Sequence, residues 1–274
     1  MFVKRHPFKN DVIESNIVLN DENIDSYLKE LDSKNFILIR GLERLSFENF
    51  CNSAAVANPI EKQLYYLDLF IDASLAKYQM ATNIGTPISI NFQGNQHQAV
   101  AEDKDYSISD QNWMLGYMAA LARRKMPIVH AFCAINLDVV NEKDKTKGGN
   151  YSLLFAKFLQ RLFIKGEAHG QNLLAAANEI KEGSMPDETY NYALHIDGPL
   201  IDLFTPILTN DKKDFNEMLL NALNLYKKYW SKEPKNIPNG LISLPITAIS
   251  VMAQDYDFKI EHTSDYLVQH LIAG

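Results

Sequence analysis

The side chains whose types and spacing come nearest to a chemical site are those of Glu261-His262-x-x-Asp265, with His270 beyond them. On a helix, His262 and Asp265 would share one face, and an imidazole with a carboxylate can ligate a metal ion when further ligands join them. The alternative is a surface loop that leads into a helix capped by Ser264 or Asp265. We favour the capping role, so we predict no metal site here.

A second candidate is the sequence His195-Ile196-Asp197, which precedes a Gly-Pro pair. A carboxylate beside an imidazole can orient the ring for general-base catalysis. More often a histidine in this setting packs at the end of a helix, and we prefer that interpretation. The sequence has no Gly-rich phosphate-binding loop, no Gly-x-Ser-x-Gly and no His-Glu-x-x-His.

The two cysteines, Cys51 and Cys133, are far apart and lack the Cys-x-x-Cys spacing of a zinc site. Both lie in apolar surroundings, and free buried thiols are typical of a reducing compartment. Residues 1–10 carry positive charge without an apolar run behind it, so they do not resemble a signal peptide. We therefore expect a cytoplasmic protein that has no cofactor, no metal and no enzymatic activity.

Acidic residues are concentrated in one part of the chain. The net charge is −7, from 27 basic and 34 acidic residues. Residues 167–217 contain ten acids and three bases, so this segment accounts for the whole excess. Such a surface repels nucleic acid and anionic membranes, whereas it attracts a basic protein and accelerates its association. The alternative is that these acids form solvated helix faces that keep the protein soluble.

Apolar residues recur mostly at helical spacing, which predicts a mainly α fold of about ten paired, antiparallel helices. Asn20 and Asp21 are typical N-capping residues, so we expect the first helix to begin there, after an extended lead-in over residues 1–20. Proline disfavours helical geometry in the residue before it. Asn58-Pro59 therefore interrupts a helical region, and we expect a further helix over residues 60–82.

Two segments depart from the helical pattern. Residues 88–92 alternate apolar and polar side chains before Gly94-Asn95, which predicts a minor β-hairpin near residues 88–101. Residues 141–150 are rich in lysine and glycine and form the most linker-like stretch. We expect a single domain over residues 1–274, with a possible sub-boundary at this stretch, because the apolar faces on both sides need partners.

The last quarter of the chain contains an almost uncharged run, residues 241–253. It is too apolar for an amphipathic surface helix, so we predict a central helix that is packed on most sides. It is also too short to cross a bilayer, which needs roughly 20 residues. An amphipathic helix over residues 211–230 precedes it, and a Pro- and Gly-containing hinge separates the two.

Short motifs in this quarter match a known pattern. They are Ala-Leu-x-x-Tyr-Lys-Lys-Tyr-Trp at residues 222–230, Asn239-Gly240 before the apolar helix, Ala253-x-Asp255 at its end, and Ser-Asp-Tyr-Leu-x-x-His-Leu at residues 264–271. In these motifs the chain resembles the Imm49 family of bacterial immunity proteins, which are encoded beside polymorphic toxins. The resemblance implies a protein that binds a cognate toxin domain, often a nuclease or deaminase with a basic surface, and blocks it.

The resemblance and the charge distribution together predict a surface that binds the toxin. Its residues in the acidic segment are Glu179, Glu182, Asp187, Glu188, Asp197 and Asp202. A second candidate is an acidic loop that contains Glu102, Asp103 and Asp105. Two other functions stay open: a helical scaffold or adaptor that binds another protein or peptide in a groove, and an enzyme without a recognisable motif. The sequence indicates neither the toxin nor the oligomeric state.

Overall fold

The computed structural model describes residues 1–31, 36–102, 106–144, 149–164, 170–232 and 237–274, and these residues are mainly helical. In chain order the helices are α1 (Asn10–Glu30), α2 (Ile39–Ala55), α3 (Ile60–Thr82), α4 (Asp110–Ala122), α5 (Met126–Cys133), α6 (Leu137–Lys143), α7 (Asn150–Arg161), α8 (Gly170–Glu179), α9 (Asp187–Tyr192), α10 (Gly198–Thr209), α11 (Lys212–Trp230), α12 (Pro238–Leu241), α13 (Leu244–Asp255) and α14 (Gln269–Ala273). A 3₁₀ turn (Phe36–Leu38) precedes α2, and a π-helical turn (Ala193–Asp197) joins α9 to α10. The predicted mainly α fold is confirmed, and short helices such as α6, α9 and α12 raise the number above ten.

Helix α1 begins at Asn10, well before the capping residues that suggested its start. The reason is a stripe of buried isoleucines that begins before Asn20 and continues after it: Ile13, Ile17 and Ile24. Asn20 lies inside the helix, where its amide donates a hydrogen bond to Oδ1 of Asn49 on α2 at 3.0 Å. Asn20 thus links two packed helices and does not cap one. The predicted lead-in is wrong for residues 10–20, whereas residues 1–9 do precede the first helix.

Among the described residues, two pairs of strands form. The predicted hairpin is confirmed: β2 (Pro87–Phe92) and β3 (Asn95–Val100) pair in antiparallel register. The two residues between them, Gln93 and Gly94, have φ angles of 49° and 75°, and positive values at both positions are typical of a type I′ turn. Far from the hairpin in sequence, β1 (Phe2–Val3) pairs in parallel with β4 (Thr263–Ser264), so the first residues lie against the last part of the chain.

Helix α13 is the centre of the molecule, as its uncharged sequence predicts. From Leu244 to Ala253 nearly every side chain is buried, and the helix packs against α4, α10, α11 and α14. Ser243 begins the helix, because its hydroxyl accepts a hydrogen bond from the backbone N–H of Ile246. In the described ranges, no helix combines the length and the apolar character that a bilayer crossing needs.

A basic run at the end of α4 joins this helix to neighbours on two sides. Arg123 and Lys125 both form salt bridges with Asp68 on α3, at 2.8 and 3.0 Å. Arg124 instead binds Asp255 at the end of α13 at 2.9 Å, and it also donates a hydrogen bond to the carbonyl of Leu271. The run therefore ties α3, α4 and α13 together at one end of the molecule.

The motif residues of the last quarter pack against one another. A Cβ atom on Gly240 would lie 2.7 Å from the ring of Trp230, so only glycine allows the indole to approach the backbone here. The hydroxyl of Tyr226 donates to the carbonyl of Ile242 at 2.9 Å, and the ring of Tyr226 lies edge-on to that of Tyr266. These contacts hold α11 and α12 in place beside α13.

The helices on both sides of residues 141–150 contact one another. Helix α7, which follows this stretch, packs on α4, α5 and α6, which precede it. A single cluster of buried apolar side chains contains residues from both sides. Residues 145–148 lie outside the described ranges. The single domain and its sub-boundary stay predictions.

A buried ion pair connects α2 to α3. The Lys77 side chain is only 1% exposed, and its ammonium group forms a salt bridge with Glu43, which is 11% exposed. Removal of one member leaves an uncompensated charge in an apolar interior. By contrast, two apolar residues of similar size avoid the cost of desolvation altogether.

We expect the substitution Lys77→Met to lower the free energy of unfolding by about 3 kcal/mol, because Glu43 then lacks its counter-charge. The double variant Glu43→Leu/Lys77→Met should recover most of this loss. Urea denaturation followed by circular dichroism measures both. A double variant that is no more stable than Lys77→Met would contradict this account, because the unpaired charge of Glu43 would then not be the cause of the loss.

Candidate partner-binding surface

Four of the predicted surface acids lie at the connection between α8 and α9, and all four are exposed. Glu179 is the last residue of α8, and Glu182 lies in the turn that follows. Asp187 and Glu188 form the first turn of α9, where carboxylates interact favourably with the positive end of the helix dipole. All four carboxylates therefore lie at the surface within one ten-residue stretch of the chain, residues 179–188.

The remaining predicted acids have different settings. Asp202 is exposed on α10, although partial burial raises the pKa of its carboxyl group. Glu102 is exposed at the end of the hairpin region. Asp103 and Asp105 fall outside the described residues, so their predicted role stays a prediction.

Asp197 does not belong to the exposed surface, which corrects the sequence-based assignment. Only 6% of this residue is exposed. Its carboxylate accepts a hydrogen bond from the hydroxyl of Tyr151 at 2.9 Å and a longer one from the amide of Gln111. Burial raises the pKa of Asp197 to about 7 in spite of these donors. The carboxyl of Asp110, also buried nearby, has its pKa raised chiefly by burial.

The π-helical turn explains why the sequence pattern is misleading here. It adds a residue to the helical turn, and π-turns of this kind rotate the side chains away from the positions that ordinary helical spacing predicts. His195 is buried, and its Nδ1 lies 2.9 Å from the carbonyl of Asn191, while its ring packs near Tyr229. His195 and Asp197 therefore bind different partners, and the packing role that we favoured for the histidine agrees with its contacts.

The protonation of Asp197 should make stability depend on pH. Its pKa rises from 3.8 to about 7 on folding, so the native protein binds the proton more tightly than the unfolded chain does. The free energy of unfolding consequently falls as the pH rises from about 4 to 7. At pH 8 the buried carboxylate is charged and destabilising.

We expect Asp197→Asn to stabilise the protein at pH 8 by up to about 4 kcal/mol, since an amide oxygen still accepts from Tyr151 and needs no charge. The gain should disappear near pH 4. Thermal melts between pH 4 and pH 8 measure the difference, with the exposed Asp187→Asn as the control. A lower melting temperature for Asp197→Asn at pH 8 would contradict the assignment.

The histidines and the acid near the C-terminal end do not form one site. His262 lies 3.1 Å from the Met1 amino group through its Nδ1, whereas Asp265 accepts a hydrogen bond from the backbone N–H of Arg5. Burial lowers the pKa of His270, and the charge of Arg123 adds to this effect. Among the described residues, no group of three or more His, Cys, Asp or Glu side chains has an arrangement that suits a metal ion.

The predicted capping role for Ser264 or Asp265 is also wrong. The hydroxyl of Ser264 donates to the carbonyl of Val3 at 2.8 Å and accepts from the N–H of Tyr266. Together with Asp265, it attaches the first residues of the chain to the last ones. The helix α14 begins only at Gln269 and has no side-chain cap.

A cleft of about 680 Å³ lies between α2 and α4. Its acidic lining residues, Glu43 and Glu48, form salt bridges with Lys77 and Arg44 respectively. These carboxylates are therefore already paired with bases inside the protein.

Sequence reasoning missed an acidic helix. Within α1 there are six acids and one base: Asp11, Glu14, Asp21, Glu22, Asp25, Glu30 and Lys29. The charge count of the chain outside residues 167–217 is balanced, so it concealed this local excess. The spacing of Ile13, Ile17 and Ile24 predicts one long helix. On such a helix most of the acids lie on the side away from the isoleucines and form one acidic face.

Helix α1 packs against α2 and reaches α3 through Asp21. Asp21 of α1 forms a salt bridge with Lys62 of α3 at 3.1 Å and accepts a hydrogen bond from the hydroxyl of Tyr66. The carboxylates of Glu14, Glu22 and Asp25 remain exposed to solvent.

A comparison with known families matches residues 52–271 of the chain to the model of Immunity protein 49. The chain belongs to the Imm49 family. No curated protein and no solved structure matches it. The Imm49 match covers α3 to α13 completely, whereas α1 and most of α2 precede it. Four residues of the motifs, Tyr226, Trp230, Gly240 and Tyr266, contact one another near α13.

Proposed function

We propose that this Imm49 protein neutralises a toxin domain by binding it, in a stoichiometric complex and without catalysis. The observation that carries the proposal is the family match, which extends over residues 52–271.

The acids at the α8–α9 connection and Asp202 form, in this proposal, a surface that attracts a basic toxin. Exposed charges of one sign raise the rate of encounter with a partner of opposite sign, and this effect weakens as the ionic strength increases. A basic nuclease or deaminase domain has the complementary charge.

Co-expression tests the proposal directly. We expect that a bacterium that produces the toxin domain encoded beside this gene stops growing, and that this protein restores growth. The purified pair should elute as one complex in size-exclusion chromatography. Absence of both rescue and complex formation would refute the proposed function.

A helical adaptor that holds a peptide is the second candidate, and the cleft of about 680 Å³ favours it. An adaptor would bind its peptide without restoring the growth of a cell that produces the toxin. The co-expression experiment therefore separates the two functions.

We expect Glu179→Lys/Glu182→Lys to lower the association rate constant with the toxin domain about tenfold at low salt, because the attraction is replaced by repulsion. The dissociation rate constant should change little. The control is the double variant Glu142→Lys/Glu261→Lys, which changes the net charge by the same amount at exposed positions away from the α8–α9 connection. Equal association rates for the two double variants would exclude the α8–α9 connection as the attracting surface.

A further inference from the structure

Helices α1 and α3 present one exposed face on the same side of the molecule. Both helices pack against α2, and the salt bridge between Asp21 and Lys62 and the hydrogen bond from Tyr66 connect α1 to α3. On α1, Glu14, Val18, Glu22 and Asp25 follow one another at intervals of four, four and three residues, so they lie on one side of the helix. On α3, Glu61 and Tyr65 are four residues apart and extend this face. We define the α1–α3 face by its exposed residues Glu14, Val18, Glu22, Asp25, Glu61 and Tyr65.

The α1–α3 face carries four carboxylates, and no described basic residue forms a salt bridge with them. Within the described part of the chain, Glu14, Glu22, Asp25 and Glu61 form no salt bridge, whereas the neighbouring Asp21 has Lys62 as its partner. A second copy of the protein would bring like charges together on this face, and an anionic membrane would be repelled by it. A basic protein is the occupant with the complementary charge.

Apolar side chains interrupt the charges of this face. Val18 is 60% exposed and Tyr65 is 43% exposed. Burial of such apolar side chains by a partner would lower the free energy of the complex. The Tyr65 ring packs against that of Tyr66, with centroids 5.5 Å apart, so it loses little conformational freedom on binding. Burial and the nearby Asp25 raise the pKa of Tyr65, so its hydroxyl stays neutral.

We propose that the α1–α3 face is the contact that anchors the basic toxin domain, with Tyr65 and Val18 at its apolar centre and the four unpaired carboxylates around them. Interfaces commonly have this arrangement, in which a few buried aromatic residues supply most of the affinity inside a polar rim. This inference rests on the proposed function. It adds a second surface with a different role. The α8–α9 acids raise the association rate, and the α1–α3 face lowers the dissociation rate.

The position of α1 in the chain suits this role. Helix α1 lies outside the residues that match the Imm49 model, and Glu14, Val18, Glu22 and Asp25 on its outer face are exposed. Substitutions on this face can therefore change the choice of toxin while the shared fold stays intact.

Binding kinetics with the purified toxin domain encoded beside this gene test the inference. We expect Tyr65→Ala to raise the dissociation rate constant about 30-fold and Val18→Ser about fivefold, with association rates nearly unchanged. The matched controls are Tyr256→Ala and Val100→Ser, whose parent residues are 54% and 55% exposed elsewhere. Equal melting temperatures for all four variants would show that their fold is intact.

Each outcome is decisive. Faster dissociation for Tyr65→Ala and Val18→Ser, with unchanged controls, supports the anchoring contact. Unchanged dissociation for both, in a protein that still rescues growth, overturns the α1–α3 face and leaves the proposed function standing. A wild-type protein that neither binds the toxin nor rescues growth overturns both.

Discussion

The burial of α13 is the constraint on which the rest of the structure depends. A helix without charge from Leu244 to Ala253 is stable in water only when other elements cover it on nearly all sides. Helices α4, α10, α11 and α14 provide that cover, although α4 lies more than a hundred residues earlier in the chain. The contacts that α13 makes with these four helices therefore follow from the need to remove one apolar helix from solvent.

Charged groups fix how the helices around α13 are arranged. The run Arg123-Arg124-Lys125 joins α4 to Asp68 on one side and to Asp255 on the other. Deeper inside, Lys77 has Glu43 as its partner, and this pair restricts how α2 and α3 can lie against each other. Buried ion pairs add little net stability, but an alternative packing that separates the pair is costly.

The candidate site was only partly accessible to sequence reasoning. Glu179, Glu182, Asp187 and Glu188 are exposed, as the polar composition around them suggests. The assignment of Asp197 to the surface failed because a π-helical turn and a Tyr151 partner from another helix decide its position. The acidic face of α1 was overlooked because Asn20, a frequent capping residue, lies within a longer helix and binds Asn49.

The sequence by itself determined the local elements. Apolar spacing predicted α3 and the central α13, and Gly94 with the alternation before it predicted the hairpin, because these patterns depend on near neighbours in the chain. Only the tertiary structure decided which polar residues point inward, which helices meet, and that α1 and α3 share one exposed face. The physical reason is that burial and charge pairing arise between residues distant in sequence, such as Asp21 with Lys62, and no local pattern specifies those partners.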